Sequence, residues 1–343
     1  MMRGVYLIGD REVEVRSLPE PRPAAGEVVV RMRAAAVCGS DLHLYRLPSS
    51  ELERLGRNRV IAGHEPCGEV VEIGSDVTTA RPGDRVAVYH RVGCGECSYC
   101  SDGRMHACLR QGSHGRTHDG ADADYIVTPA RQCLPLPDDI SYVAGAVLAC
   151  NFGTGYEVVS KLGFQAGETV AIFGLGPVGL CAVMAAHALG AEVVGIDPVP
   201  GRRELAEHLG AEETLDPVSS DIPDLLRKRS GGGGMAYAVD ASGSAAAHQA
   251  LVESLGFDGR AGLVGIGTEN LTANLTEIVR RQIVLCGSSI FPNGDWSEIC
   301  QFVDTHDVPL EDIVAERLPI SDARAGFRLA DRATAGKVAF IWD

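Results

Sequence analysis

The stretch Val170-Ala-Ile-Phe-Gly-Leu-Gly-Pro-Val-Gly179 decides the fold of the second half of the chain. Four apolar residues, Val170 to Phe173, come first. Gly174-Leu175-Gly176-Pro177-Val178-Gly179 follows, and the Ala-rich segment Leu180 to Leu189 comes last. That order predicts strand, tight turn and helix. Gly174 permits the turn, Gly176 lets the backbone approach a pyrophosphate, and Gly179 lets the helix pack closely on the strand. Free N–H groups and the positive dipole at the helix start suit anionic phosphates. Glycine turns are common, so the pattern alone is weak; its setting strengthens it. A second strand-like run, Glu192-Val-Val-Gly-Ile-Asp197, ends in a carboxylate 23 residues after Gly174. An acid at that place accepts both ribose hydroxyls of an adenosine.

Working outward, strand and helix alternate from about residue 151. Glu204–Leu209 and Ala245–Ser254 read as helices. Ala236–Asp240, Ala261–Gly265 and Ile283–Cys286 read as strands, and Gly231–Gly234 as a flexible lead into one of them. Such alternation predicts a parallel, doubly wound sheet. Residues 1 to about 150 read instead as short β-branched runs between turn signals such as Pro82-Gly-Asp, at spacings typical of a barrel or sandwich. Trp296–Thr305 has the pattern of an amphipathic helix, and Lys337-Val-Ala-Phe-Ile reads as a final strand.

The chain has 343 residues, enough for two domains with separate cores. Its net charge of −15 disfavours nucleic acid, whose binding depends on neutralising phosphates with Lys and Arg. No apolar run approaches the roughly 20 residues that span a bilayer. The N-terminus meets charge too soon for a signal peptide. A cytoplasmic setting is therefore expected, in which the clustered thiols among 11 cysteines act as metal ligands instead of disulfides.

Cys94-x-x-Cys97-x-x-Cys100 with Cys108 is the strongest local motif: four thiolates within fifteen residues. They fill a tetrahedral zinc site with no position left for water, which makes it structural. The residues between them lack apolar periodicity, so metal is expected to supply the folding energy of a lobe at about 93–110. A second set is dispersed: Cys38, His64-Glu65 and Cys150. Singly, each has a plain alternative as a small buried thiol or a hydrogen-bonded imidazole. Together, two thiolates and an imidazole leave a fourth zinc position open, the composition of a catalytic site. Spacing alone does not join them.

At this point the chain resembles the zinc-dependent medium-chain alcohol dehydrogenase family, in its polyol, threonine and secondary-alcohol branches. Cys38-Gly-Ser-Asp-x-His43, Gly63-His-Glu65, Pro82-Gly-Asp-Arg-Val86 and the four clustered cysteines occur in the family's order. Cys150-x-x-x-Thr154-Gly-Tyr, the glycine turn, Asp197 and Asp240-Ala-Ser-Gly243 then follow, across essentially the whole length. The resemblance implies an α/β protein: a GroES-like β-rich catalytic domain at 1–150 and 289–343, split around a Rossmann NAD-binding domain at 151–288. It implies two zinc ions per chain, with Cys38, His64 and Cys150 on the catalytic one and Glu65 beside it, as a neighbouring carboxylate or a transient ligand. Ser40 would take the proton from the alcohol and His43 would pass it to solvent. Thr154 would touch the nicotinamide, Asp197 with Arg202 would hold the ribose, and Gly265, Ile266, Ser289 and Ile290 would line the nicotinamide pocket through backbone groups. Hydride would leave a zinc-bound alkoxide for NAD, giving a ketone from a secondary alcohol.

Departures from the family pattern leave the substrate open. Branches with Cys-Gly-[Ser/Thr]-Asp usually carry glutamate as third ligand, whereas Cys150 stands there, as in the branch acting on simple alcohols. That branch usually has a basic residue in place of Gly39. Asp197 favours NAD because a carboxylate repels a 2′-phosphate; Arg202 and Arg203 keep NADP as the lesser alternative. The leading expectation is oxidation of a polyol, sugar derivative or similar metabolite. A physiological reductase of an aldehyde or ketone is the second reading. A non-enzymatic zinc-binding regulator is the third, and the charge disfavours it. Family members of this length are commonly homotetramers or homodimers, and Ile283–Ile290 could supply a pairing edge. Tyr45, Leu47, Phe152, Phe291 and Trp296 are candidate pocket walls. Cys67, Cys133, Cys181, Cys286, Cys300 and His187 are expected to be structural, and His90, His106, His114 and His118 to lie on the surface.

Overall fold

A six-stranded parallel sheet forms the nucleotide half. Its strand order is Glu213–Leu215, Glu192–Ile196, Thr169–Phe173, Met235–Asp240, Leu255–Leu263 and Val284–Gly287. Numbered along the chain that is 3-2-1-4-5-6, the order of a Rossmann sheet, with its crevice where the order reverses beside Thr169–Phe173. The central strands are apolar throughout because helices cover both faces; Val170 to Phe173 are all buried. The computed structural model describes all residues except 268–273 and 333–334.

The second half is a β-rich body. Val314–Pro319, Lys337–Ile341, Glu27–Ala36, Pro66–Ile73, Arg85–Val88 and Cys133–Pro135 lie in that order in one sheet, with Tyr125–Pro129 also paired to Glu27–Ala36. The last strand pairs antiparallel with Glu27–Ala36, Ala339 opposite Ala36, so the two chain ends meet in one sheet. One apolar cluster runs across both halves. It includes Ala87, Leu134, Val147, Phe152, Ile172, Leu180, Phe291 and Trp296. Burying each large member contributes about 1.5–3 kcal/mol, so the two sheets are held as one body. Tyr45, Phe152, Phe291 and Trp296, expected as pocket walls, are packed in the core: Tyr45 against Phe327, Phe291 between Tyr89 and Trp296. Among the described residues, no helix is long and apolar enough to cross a membrane.

The three turn glycines have three different local reasons. Gly174 has φ +89, a conformation that L side chains rarely adopt. Gly176 has no atom within 4 Å of the place a Cβ would take, leaving its backbone open to a ligand. A Cβ on Gly179 would lie 1.8 Å from the Gly174 carbonyl oxygen, so only glycine lets this helix come so near. Pro177 starts the helix Pro177–Ala188, where its missing N–H removes no bond.

Candidate active site

Cys38 stands immediately before the helix Gly39–Arg46. The backbone N–H of Cys38 donates to Asp41 Oδ2 at 3.1 Å, which fixes the chain direction at the helix start. The other Asp41 oxygen lies 2.8 Å from His64 Nδ1. A donating Nδ1–H leaves the Nε2 lone pair of His64 free to face the cluster, the tautomer a metal ligand needs. Burial alone would push the His64 imidazole down; the Asp41 carboxylate and Cys38 thiolate outweigh it and raise it, so a cation is favoured at Nε2, the place a metal would take instead of a second proton.

Cys150 arrives from a different element. It sits in a π-helical turn, Leu148–Phe152, between the helices Tyr142–Val147 and Gly153–Ser160. Such one-turn bulges inside helices are frequent at functional sites. Cys38, His64, Glu65 and Cys150 each bring one ligand atom within 4.8 Å of the other three, and all four residues are buried. The Cys38 thiol is held well below its usual range, first by the Cys150 thiol donating to it and then by His64. Two soft sulfurs and an imidazole around one point suit zinc.

Glu65 has a partner that no local pattern signals. Lys337 Nζ is 2.9 Å from Glu65 Oε2, with both side chains sealed from solvent, and it donates to the Val37 carbonyl at 3.0 Å. The Glu65 contact lies off the hydrogen-bonding line, since neither Glu65 oxygen completes a hydrogen bond. Burial pushes the Glu65 carboxyl up to about 8, with the adjacent ammonium opposing. Ser40 Oγ lies 3.5 Å from His64 Nε2, and His43 is exposed one helical turn from Ser40.

The four clustered cysteines also converge, their ligand atoms within 4.8 Å of one another. Cys97 and Cys100 Sγ are 3.6 Å apart, and the Cys94 N–H donates to Cys108 Sγ at 3.4 Å. Backbone N–H groups of Glu96 and Cys97 bring the Cys94 thiol down to about 6, while burial pushes Cys100 up to about 12. The lobe docks on the rest of the chain through Met105 N–H to Asn293 Oδ1 at 2.9 Å.

Two histidines expected on the surface are buried instead. His114 is clasped between the Asp119 carbonyl at 2.7 Å and Thr128 Oγ1 at 3.0 Å, a purely local structural role. His90 packs edge-on to the His64 ring, centroids 4.9 Å apart, with its Nδ1 sealed and unpartnered. Burial and then the His64 charge keep His90 neutral, well below its usual range. Proximity to the cysteine lobe in sequence suggested exposure; strand pairing of Arg91–Val92 with Gly112–Ser113 folds both inward. Cys67, Cys181 and Cys300 are buried as expected, whereas Cys133 and Cys286 are half-buried and His187 is exposed.

At the crevice, Asp197 Oδ2 accepts from the Leu175 N–H and Oδ1 from the Val199 N–H, both at 2.8 Å. The carboxylate therefore braces the glycine turn, with Arg202 Nη1 3.5 Å away. Asp240 accepts from Ser242 and Gly243 and fixes the next loop against Gly174. Thr154 is buried one helical turn, about 6 Å, after Cys150. Gly155 there packs on the helix Pro177–Ala188: a Cβ would lie 2.7 Å from the Ala182 nitrogen. Gly265 gives its N–H to the Asp240 carbonyl, leaving only its carbonyl for a ligand. Ile266 and Ser289 are exposed, and the Ile290 side chain is buried. The Asn151 amide and Ser288 Oγ are buried without partners, as polar groups awaiting a ligand would be.

Residues 24–138 match the alcohol dehydrogenase GroES-like domain, and residues 177–305 match the zinc-binding dehydrogenase family. An alcohol dehydrogenase of Geobacillus stearothermophilus is 32% identical over 293 residues, 85% of this chain and 86% of that protein. The chain belongs to the zinc-dependent medium-chain alcohol dehydrogenase family. It is thus an oxidoreductase of the zinc type. An L-threonine 3-dehydrogenase of Pseudoalteromonas translucida is 28% identical over 330 residues, 95% of each chain. A Sinorhizobium meliloti protein assigned as a zinc-binding dehydrogenase and bound to NADP superposes with a TM-score of 0.87 at 28% identity, over 100% of this chain and 99% of that one. As an alcohol dehydrogenase, the chain has two donor sets that fit zinc and a crevice that fits a nicotinamide dinucleotide.

Proposed function

We propose that this alcohol dehydrogenase oxidises a secondary alcohol of a hydroxylated metabolite to a ketone, with NAD as hydride acceptor and two zinc ions per chain. The observation that carries the reading is the position of the buried set Cys38, His64, Glu65 and Cys150, one helical turn from Thr154 at the dinucleotide crevice. Cys38, His64 and Cys150 would hold the catalytic zinc, and Cys94, Cys97, Cys100 and Cys108 the structural one. The catalytic ion supplies Lewis acidity, which lowers the pKa of a substrate hydroxyl.

The chain's own groups do the rest. Ser40 Oγ, beside His64, stands where the hydroxyl proton leaves, and exposed His43 hands it to solvent. Thr154 holds the nicotinamide face toward the alcohol carbon, so that donor and acceptor meet without diffusing. Cys38, His64, Glu65 and Cys150 are themselves buried, which keeps bulk water from the donor atoms. Asp197 would bind the adenosine ribose hydroxyls; its charge supports NAD over NADP, since a 2′-phosphate would be placed against a carboxylate.

Zinc-loaded enzyme assayed on alcohols, diols and polyols, with NAD and NADP side by side, tests the reading. Reduction of NAD by some member, lost in Cys38→Ser, is the expected result. Inactivity of a verified two-zinc sample across the panel, or an unchanged rate in Cys38→Ser, contradicts it.

A further inference from the structure

We propose that the alcohol carries an anionic group, a carboxylate or a phosphate ester, and that Arg116 selects it; this rests on the alcohol-oxidising reading above. The turn that bears Arg116 is clamped onto the residues just before His64. Gly120 N–H donates to the Ile61 carbonyl at 2.9 Å and Ala121 N–H to the Gly63 carbonyl at 3.1 Å. Ile61 N–H donates back to Asp119 Oδ1 at 2.9 Å. The fit is close enough that a Cβ on Gly115 would lie 2.6 Å from the Gly63 oxygen. Arg116 is therefore placed by rigid backbone contacts, not by a loose loop.

Its guanidinium is anchored to the reaction's own neighbourhood. Arg116 Nη2 donates to the Ser40 carbonyl at 3.0 Å, and the hydroxyl of that same Ser40 lies 3.5 Å from His64 Nε2. Adding the span of one serine puts Arg116 about 7 Å from the hydroxyl. That bond uses one of five N–H donors. Among the described residues, no carboxylate lies within 4.0 Å of Arg116. Arg57 donates to the Arg116 carbonyl and also lacks a carboxylate within that distance, so a second half-buried guanidinium backs the first.

The contrast with the rest of the chain gives this weight. Net charge is −15, and most half-buried arginines elsewhere find acids, among them Arg33 with Glu69, Arg85 with Asp138 and Arg203 with Asp216, with Arg91 an exception. Two half-buried cations without acids, Arg116 bonded to Ser40 and Arg57 bonded to Arg116, fit a substrate that brings the missing negative charge. A guanidinium fork matches carboxylate and phosphate oxygens in geometry as well as charge.

Calorimetry on the zinc-loaded full chain with NAD compares glycerol, glycerate and glycerol 3-phosphate, a single skeleton ending in a hydroxyl, a carboxylate or a phosphate. The charged members are expected to bind at least about tenfold more tightly than glycerol. That preference shrinks about tenfold in Arg116→Ala, returns in part in Arg116→Lys, and fades with added salt. Arg116→Gln keeps a donor for the Ser40 carbonyl without the charge and should behave as the alanine variant does; wild-type preference in Arg116→Gln overturns the proposal. So does the absence of charge preference in the wild type, or its survival in Arg116→Ala. Preference for the carboxylate alone or the phosphate alone supports the proposal and names the source. If Arg116→Ala does not fold, Arg116→Gln and Arg116→Lys carry the comparison. NAD reduction is read separately. Anion binding without turnover of any alcohol counts against the alcohol-oxidising reading and leaves the Arg116 site standing; turnover of neutral alcohols without charge preference does the reverse.

Discussion

Lys337 Nζ lies 2.9 Å from Glu65 Oε2 with neither side chain exposed, which ties the last strand of the chain to the loop carrying His64. A buried ion pair of this kind is weak evidence of net stabilisation, but above about pH 8, where the raised Glu65 carboxyl is ionised, removing one partner strands the other charge. Lys337→Met is therefore expected to destabilise the protein by about 3 kcal/mol. The double variant Glu65→Gln with Lys337→Met should recover part of that loss. Denaturant titration of the three proteins checks it; an unchanged midpoint in Lys337→Met would show that the pair is not held in solution.

Asp41 orients His64 through Nδ1 at 2.8 Å. Asp41→Asn weakens that bond while keeping the shape. Zinc affinity at the Cys38 site should fall about ten- to hundredfold, as when comparable outer partners of ligating histidines are changed. Competition with a chromophoric chelator measures it, and full retention of affinity would place the orientation of His64 elsewhere.

Among the clustered cysteines, Cys97→Ser removes one thiolate of four. Metal analysis should then find about one zinc per chain in place of two, and stability should drop by about 3 kcal/mol or more, because the lobe has little apolar core of its own. Two zincs retained per chain, with an unchanged melting temperature, would sink the structural assignment.

His114 gives a pH signature. Burial pushes its imidazole down to about 4 in the fold, against about 6.5 when unfolded. Between those values the unfolded chain binds the extra proton. The contribution is fully present above about pH 6.5 and is lost as pH falls toward 4, about 3 kcal/mol in all. His114→Gln should flatten the stability–pH curve over that window by about one proton's slope. Parallel curves for the two proteins would contradict the assignment.

What the sequence makes legible follows from how local each feature is. The glycine turn and the four clustered thiols are readable because strand, turn and helix, or all four ligands, lie within one short stretch. Cys38, His64 and Cys150 could be joined only by resemblance, since three separate elements bring them together. Asp41 sits in the quoted Cys38–His43 motif, yet its role depends on which way a ring 23 residues away is turned. Lys337 has no local signal at all: one lysine in a strand-like run becomes a buried cation only when that strand pairs with Glu27–Ala36. His90 and His114 were expected on the surface because the short sheet that turns them inward spans just two residues a strand.

The central claim is that hydride passes from an alcohol carbon held at Cys38, His64 and Cys150 to a nicotinamide held beside Thr154. The most direct measurement uses the best alcohol of the substrate panel, deuterated at its carbinol carbon, with zinc-loaded enzyme and NAD. Proton NMR of the reduced cofactor should show deuterium at C4 of the nicotinamide, on one face only, with no label in solvent and no transfer in Cys38→Ser. Deuterium released to water instead, or transfer undiminished in Cys38→Ser, would contradict the account.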